Sequence, residues 1–537
     1  MSKLFSLLRA TMSEGIQIFN YRAKNQRAKR LMPILLGTLM GTIMLLGAVS
    51  MTTDLKTAGS PTAILALYTL ITVIIIVTEG IYKTSDLLFR PRDNDTLLAM
   101  PIRKSTIVLA RMLKFYVFEL IYCLIFLLPA VIAYAMNVEV NASYYLVAAT
   151  MLLLVPIIPI AISCIIGLFT SAISSRFKHR TFFQVFLSFA FLFATTILVL
   201  KLNTTSDFNG QSLAAIGSRI TEFYYPAKVF TDLATHFDLG QFLVFISINL
   251  AVLLVTVLII SRFYFQLVSR LSVTKLIKNT EAHYEFKRHT PLTAFVKKEL
   301  NRYFSTPVLI VNTAIGLVLF LVVVGALCLK YDDVVASIMS SIEDFPLTAD
   351  DIHSFLPSIT FALVAFASLM TFITATMISL EGRAFNMLKS LPISGKKVIM
   401  AKVLAAMLLI VPATLLGSIV MFVRFQFSAL DIILILIGVF AMPLVAELIG
   451  ILVNLKYARF DAESDAVAVK QSASVMVATF LGLGMVMVVI PLTLATVYLA
   501  GQTVGLIIMD AVFVIVSAFL YFAVATRGEE KYSQLSA

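Results

Sequence analysis

Charge is scarce in this chain. Only 13% of its 537 residues are charged and 60% are hydrophobic, whereas soluble proteins run at about 25% charged and about 45–50% apolar. A soluble fold of this composition would expose far too much apolar surface. One very large soluble core is excluded because the apolar residues arrive in unbroken runs of span length. Cysteine is rare as well. Cys123, Cys164 and Cys328 each lie in an apolar run, with no CxxC and no histidine at ligand spacing, so they read as small buried hydrophobes. The five histidines are scattered and suggest no metal site. Residues 1–30 lack the apolar core of about 7–15 residues that a cleaved signal peptide needs. There is no GxxxxGK[ST]: "ISGKKV" at 393–398 has neither the upstream glycine nor a Ser/Thr after lysine, so no phosphate-binding loop is encoded. No nucleophile–base or metal constellation appears, and the chain is not expected to be an enzyme.

What is abundant is span-length hydrophobicity. About 20 apolar residues cross a bilayer as a helix. Twelve stretches qualify: 31–51, 62–82, 113–136, 144–170, 182–200, 241–260, 307–329, 355–379, 403–425, 430–454, 472–498 and 502–525. The net charge of +12 sits in loops beside these runs, which marks topology rather than nucleic-acid binding. With the N-terminus in the cytoplasm, 36 of the 42 Lys and Arg fall inside and only Lys56, Lys201, Arg219, Lys228, Lys330 and Arg424 fall outside. One miscounted span would invert everything downstream, so an even number with both termini cytoplasmic fits. The expected fold is an all-α integral membrane protein of about twelve transmembrane helices in two parallel six-helix repeats.

In residues 1–30, Leu4, Leu8, Met12, Ile16 and Phe19 recur at helical spacing before a basic run. This predicts an amphipathic lead-in helix flat on the inner leaflet, touching anionic lipids. The first six-span half follows at 31–261. Residues 262–306 read as a cytoplasmic linker and second lead-in helix, 307–526 as the second half, and 527–537 as a cytoplasmic tail. Residues 201–240 are long enough for two short interfacial helices on the outer face. The loop 330–354 is acidic, and "YLAGQ" is all that joins the last two spans.

The halves repeat most clearly after their second spans. "DTLLAMPIRKSTIVLARML" (95–113) is matched by "NMLKSLPISGKKVIMAKVL" (386–404), with Leu97, Pro101, Ile102, Ala110 and Leu113 facing Leu388, Pro392, Ile393, Ala401 and Leu404. Arg111 faces Lys402, a conservative pair. Six spans per repeat restore the orientation, so the repeats are parallel. Each segment predicts a short helix across the inner ends of two spans, stopped by Pro101 or Pro392. Ser105 can cap the helix that follows the first. Taken singly, either segment reads as a lipid-facing loop; the duplication suggests two equivalent docking points for a partner below the membrane.

Ionisable groups within spans are costly and are functional candidates by default. Glu79 lies near the inner end of the second span, Glu119 and Glu447 in inner parts of the third and tenth, and Asp510 about a third of the way in from outside. Glu119 and Glu447 could instead be structural, paired with Arg111 or with a Ser/Thr. Pro129, Pro156, Pro159, Pro412, Pro443 and Pro491 suggest kinks within spans.

These features resemble the type-2 ABC exporter permeases of bacteria in which two six-span halves are fused. The lead-in helix, the "LLAMPI" and "LKSLPI" loops and "KKELNRYFSTP" before the seventh span carry the resemblance. It implies a bacterial cytoplasmic-membrane location and a permease subunit that binds no cofactor itself. ATP and Mg would be held by a separate ABC ATPase, in two copies. It also implies that coupling to that ATPase runs through Asp95, Leu98, Met100, Pro101 and Arg103, and through Asn386, Leu388, Lys389, Leu391 and Pro392. Glu119, Glu447, Asp510 and Glu79 are then translocation-path candidates, and the substrate is an amphipathic or hydrophobic peptide, lipid or drug. Two alternatives stand: a proton-coupled secondary transporter using the intramembrane carboxylates, and a membrane-embedded enzyme or scaffold without transport.

Overall fold

The computed structural model describes residues 26–84, 88, 99–174, 180–202, 210–280, 290–341, 349–460, 462, 465–470 and 472–535. Every element among them is helical. The chain divides into two compact units, Met1–Tyr284 and Glu285–Ala537.

In the first unit, helix α1 spans Gln26–Thr57 and α2 spans Ala63–Thr84. Helix α3 runs from Lys104 to Asn137. The expected fourth span is two helices, α4 (Ala142–Leu154) and α5 (Ile157–Ser174), parted at Val155 and Pro156. Proline has no N–H to continue the ladder, so the break falls there. Helix α6 covers Arg180–Leu202. Two short helices follow, α7 (Gly210–Phe223) and α8 (Tyr225–Thr235). They are the pair expected on the outer face. Each buries one face, Ile216 and Ile220 on α7 and Val229, Phe230 and Leu233 on α8. Helix α9 is Leu239–Thr280, 42 residues long. At 1.5 Å per residue it reaches about 63 Å, twice the hydrocarbon thickness of about 30 Å, so the first part of the expected linker continues the sixth span as helix.

The second unit opens with α10 (Pro291–Ser305), whose N-cap Thr290 accepts the Thr293 N–H and whose first residue is proline. Both are standard helix-start chemistry. Phe295, Glu299 and Tyr303 form its buried stripe. Helix α11 is Pro307–Leu329. Short helices α12 (Tyr331–Ser341) and α13 (Ala349–Ser354) follow. The eighth span is broken into α14 (Leu356–Leu369), α15 (Thr374–Met377) and a 3-10 turn, Ser379–Ala384. Gly382 in that turn has φ +53, a left-handed backbone that glycine adopts freely. Next come α16 (Phe385–Lys389), α17 (Gly395–Phe425), α18 (Ala429–Lys456) and α19 (Asp465–Lys470). The last are α20 (Ala473–Ala500), α21 (Gln502–Ala523), a π turn at Val524–Gly528 and α22 (Glu529–Gln534).

Ten of these helical stretches are long and apolar enough to cross a membrane, counted over described residues. The other two expected spans, 31–51 and 182–200, lie within α1 and α6, 32 and 23 residues long. The units repeat in burial as well as order. The second span of each, 63–81 and 356–382, has 78% of its apolar stretch buried, and the third of each, on α3 and α17, has 39%. A helix apolar all round belongs in the centre of a bundle, and α2, with "AILALYTLITVIIIV", is such a helix. Pro129, Pro412, Pro443 and Pro491 sit inside helices that run through them.

Candidate functional site

The two proline-broken segments have the same local backbone. Ile102 N–H donates to Met100 O at 2.8 Å, and Ile393 N–H to Leu391 O at 2.8 Å. Residue 103 then caps α3 with φ −64 and ψ 136, and residue 394 caps α17 with φ −63 and ψ 141. The cap is therefore Arg103, not the expected Ser105, and no side chain closes either helix start. Met100 and Leu391 are exposed to the same degree, 45% and 44%. Pro101, Arg103 and Pro392 are exposed, and Ile107, Ala110 and Arg111 are buried as are Val398, Ala401 and Lys402. Each step thus lifts one apolar side chain outward while the helix behind it is packed. Asp95 and Leu98 lie outside the described residues.

In the second copy the expected short helix is α16. Leu388 and Phe385 are buried beneath it, and Asn386, Met387 and Lys389 face out. The Lys389 ammonium donates to Ser533 O at 2.7 Å and Leu535 O at 2.8 Å.

Behind each step lies a buried cation. Arg111 donates to Leu88 O at 2.8 Å and to the Tyr264 hydroxyl. Lys402, 1% exposed, donates to Glu299 at 2.7 Å, Glu381 at 2.6 Å and Met377 O at 3.1 Å. Lys298 bridges Glu381 and Glu299 at 2.6 and 3.2 Å, and Arg302 reaches Glu381 at 3.1 Å. This cluster ties lead-in helix α10 to the turn before α16 and to α17. Tyr303 adds a neutral link, its hydroxyl 3.0 Å from Thr313. Burial pushes the Tyr303 hydroxyl pKa up. Thr313 gives its own proton to Leu309 O at 2.7 Å, so Tyr303 donates to Thr313.

The four span carboxylates have different surroundings. Lys83 sits 2.5 Å from Glu79 and 2.9 Å from Glu119, with its ammonium 4.7 Å over the Tyr122 ring. Lys83 is thus an ion-pair partner of Glu119, where Arg111 or a Ser/Thr was expected. On a helix, residues eight apart are about 12 Å apart along the axis, and Arg111 faces its own partners. Glu447 on α18 accepts the N–H of Ile373 at 3.0 Å and of Thr374 at 2.8 Å. Those are backbone donors freed by the break between α14 and α15. Seven residues along the same face, Asn454 accepts from Ile378 and Ser379 N–H at 2.7 and 3.3 Å, and donates to the hydroxyls of Ser379 and Ser474 at 2.8 and 3.0 Å. Between them, a Cβ on Gly450 would meet Thr374 Oγ1 at 2.5 Å. Glu447, Gly450 and Asn454 form the cradle of the broken span. In the first unit Gly167 meets Thr84 as closely, at 2.4 Å. Asp510 differs from all of these. It is 4% exposed, and neither carboxylate oxygen has a hydrogen-bond partner among the described residues.

Lys83, Glu299, Glu381, Lys402, Gly450 and Asn454 were not read from the sequence as site residues. Two signals were there: Lys83 stands four after Glu79, and Glu447, Gly450 and Asn454 share one helix face. Among the described residues, no group of His, Cys, Asp and Glu could hold a metal ion.

Long apolar helices, buried ion pairs at their ends and a polar clamp on a broken span define an all-helical, multi-pass integral membrane protein. The chain belongs to the family described as membrane proteins of 12 TMs, whose model matches residues 29–526. No curated protein and no solved structure matches it.

Proposed function

We propose that the chain is the membrane-spanning subunit of an ATP-driven exporter of the type-2 ABC class, worked by a separate ATPase present in two copies. The observation that carries the reading is the duplicated step: Met100–Arg103 and Leu391–Ser394 share backbone path, hydrogen bonds and exposure. A rigid, apolar-tipped step at the inner end of two spans can receive a push from outside the membrane. Two of them suit a two-fold partner. The buried cations behind the steps favour the same reading, since a push is lost if the base yields. ATP and Mg would belong to the partner, and the permease to a bacterial cytoplasmic membrane. The greasy spans suit an amphipathic or hydrophobic substrate, such as a peptide, lipid or drug.

Asp510 supports the second reading, a proton-coupled transporter, because a buried carboxyl without a hydrogen-bond partner among the described residues is a place for a proton. Glu447, Glu79 and Glu119, each held by donors or a lysine, do not add to it. Co-purification discriminates between the two. The tagged chain should retain a soluble ATPase with a phosphate-binding loop, and Met100→Asp with Leu391→Asp should abolish that retention while the spans stay folded. Transport by the purified chain alone on a proton gradient would refute the ABC reading.

A further inference from the structure

The second step does not stand alone. We propose that the C-terminal segment Glu529–Leu535 braces it, and that brace and step together form one docking surface for a partner with an apolar cleft and an acidic rim. This rests on the reading that the partner is the ATPase. The brace is built from several independent contacts. Lys389 donates to the carbonyls of Ser533 and Leu535 at 2.7 and 2.8 Å, end carbonyls that a short helix cannot satisfy itself. Tyr532, 6% exposed, sets its ring edge-on to Phe385 with centroids 5.3 Å apart. Phe385 stacks on Phe460 at 4.5 Å, so α16 is held on two sides. Gly395 makes room for the tail, since a Cβ there would lie 2.6 Å from the Tyr532 ring.

With its underside locked, the segment turns Met387, 71% exposed, together with Leu391 and Pro392 away from the protein. Lys396, Lys397 and Lys531 are exposed nearby in the same segments. Apolar knobs on segments that expose three lysines and Glu530 call for a partner that covers the first and pairs chiefly with the cations. Acidic lipid headgroups could pair with the lysines, but the tail contacts below would then serve no purpose in orienting the knobs.

The test uses the full chain in detergent, with and without residues 529–537. Trypsin cleavage after Lys396 and Lys397, followed by mass spectrometry, should quicken about tenfold when the brace is gone, the loss of roughly one unit of local closing energy on the tenfold scale. Lys389→Met should give part of that effect, and Lys389→Arg, which keeps the donors, much less. Equal cleavage in intact and truncated chains overturns the brace whatever the partner is. Retention of the ATPase by the tagged chain should also fall on truncation, from about two copies per chain to about one. Where the truncated chain aggregates, Lys389→Met takes its place. A monodisperse truncated chain that retains ATPase as well as the intact one overturns the shared surface. An intact chain that retains none overturns the function proposed above, and the cleavage result still decides the brace.

Discussion

Glu447→Gln should loosen the broken span. In the native chain both carboxylate oxygens accept a backbone N–H, from Ile373 at 3.0 Å and Thr374 at 2.8 Å. Glutamine keeps the shape but has one oxygen. Its NH2 group would then point at an N–H, leaving one buried donor without an acceptor and the new amide without one either. An orphaned buried N–H and a lost charge-assisted bond together cost about 3 kcal/mol. Removing a buried charge offsets part of this, leaving about 2 kcal/mol. For a unit of this size that lowers the unfolding midpoint by roughly 4–8 °C. Scanning calorimetry of the full chain in detergent micelles would measure it, with the second unit's transition as the readout. An unchanged or raised midpoint would mean that the carboxylate is not the clamp, and the cradle argument would fail.

Other perturbations separate the remaining groups. Lys402→Met strips two carboxylates of their most buried partner and should cost about 3–5 kcal/mol, read in the same scans; Glu381→Gln added to it should recover part of the loss. Asp510→Asn should leave stability unchanged or raise it, because no hydrogen bond among the described residues is given up and a buried acid becomes a neutral isostere; a marked loss would reveal a partner. Gly167→Ala puts a methyl 2.4 Å from Thr84 Cγ2 and should destabilise by about 1–3 kcal/mol through overpacking, whereas Gly484→Ala, with nothing within 4 Å, should cost nothing measurable.

The spans were legible because hydrocarbon thickness sets a minimum run of apolar residues. Their helix ends were not. Helix α3 begins at Lys104, close to the cap expected at Ser105, and α17 at Gly395, each ahead of the apolar runs expected at 113–136 and 403–425. Those first turns are amphipathic, burying Val108 and Ile399 while Arg103 and Lys396 face water, so a hydropathy window misses them. The break at 370–373 was hidden for a different reason. It contains neither Pro nor Gly, and its freed N–H groups are satisfied by Glu447 on a distant helix. Nothing local to 370–373 announces it. The ion cluster was obscured because charge at span ends was read as topology. Lys298, Arg302 and Lys402 do lie at such ends, yet Lys402 points inward. The backbone turn of the duplicated step was legible because it rests on local spacing and one proline per copy, while the cap of the first fell on Arg103 and not Ser105.

The tail's role was beyond reach of pattern reading. Lys389 looked like a surface charge suited to a partner, and in the fold its ammonium is spent on carbonyls more than a hundred residues later in the chain. Sequence separation conceals such contacts; only the packed unit brings Phe385, Phe460 and Tyr532 together.

The duplicated step is most directly tested by counting what stands on it. The tagged full chain, purified gently from its own membrane and quantified by mass spectrometry, should carry about two ATPase subunits per chain under the two-step reading. Met100→Asp alone and Leu391→Asp alone should each remove one of the two. A chain that carries no ATPase, and that moves substrate by itself when reconstituted with a proton gradient, would contradict the account.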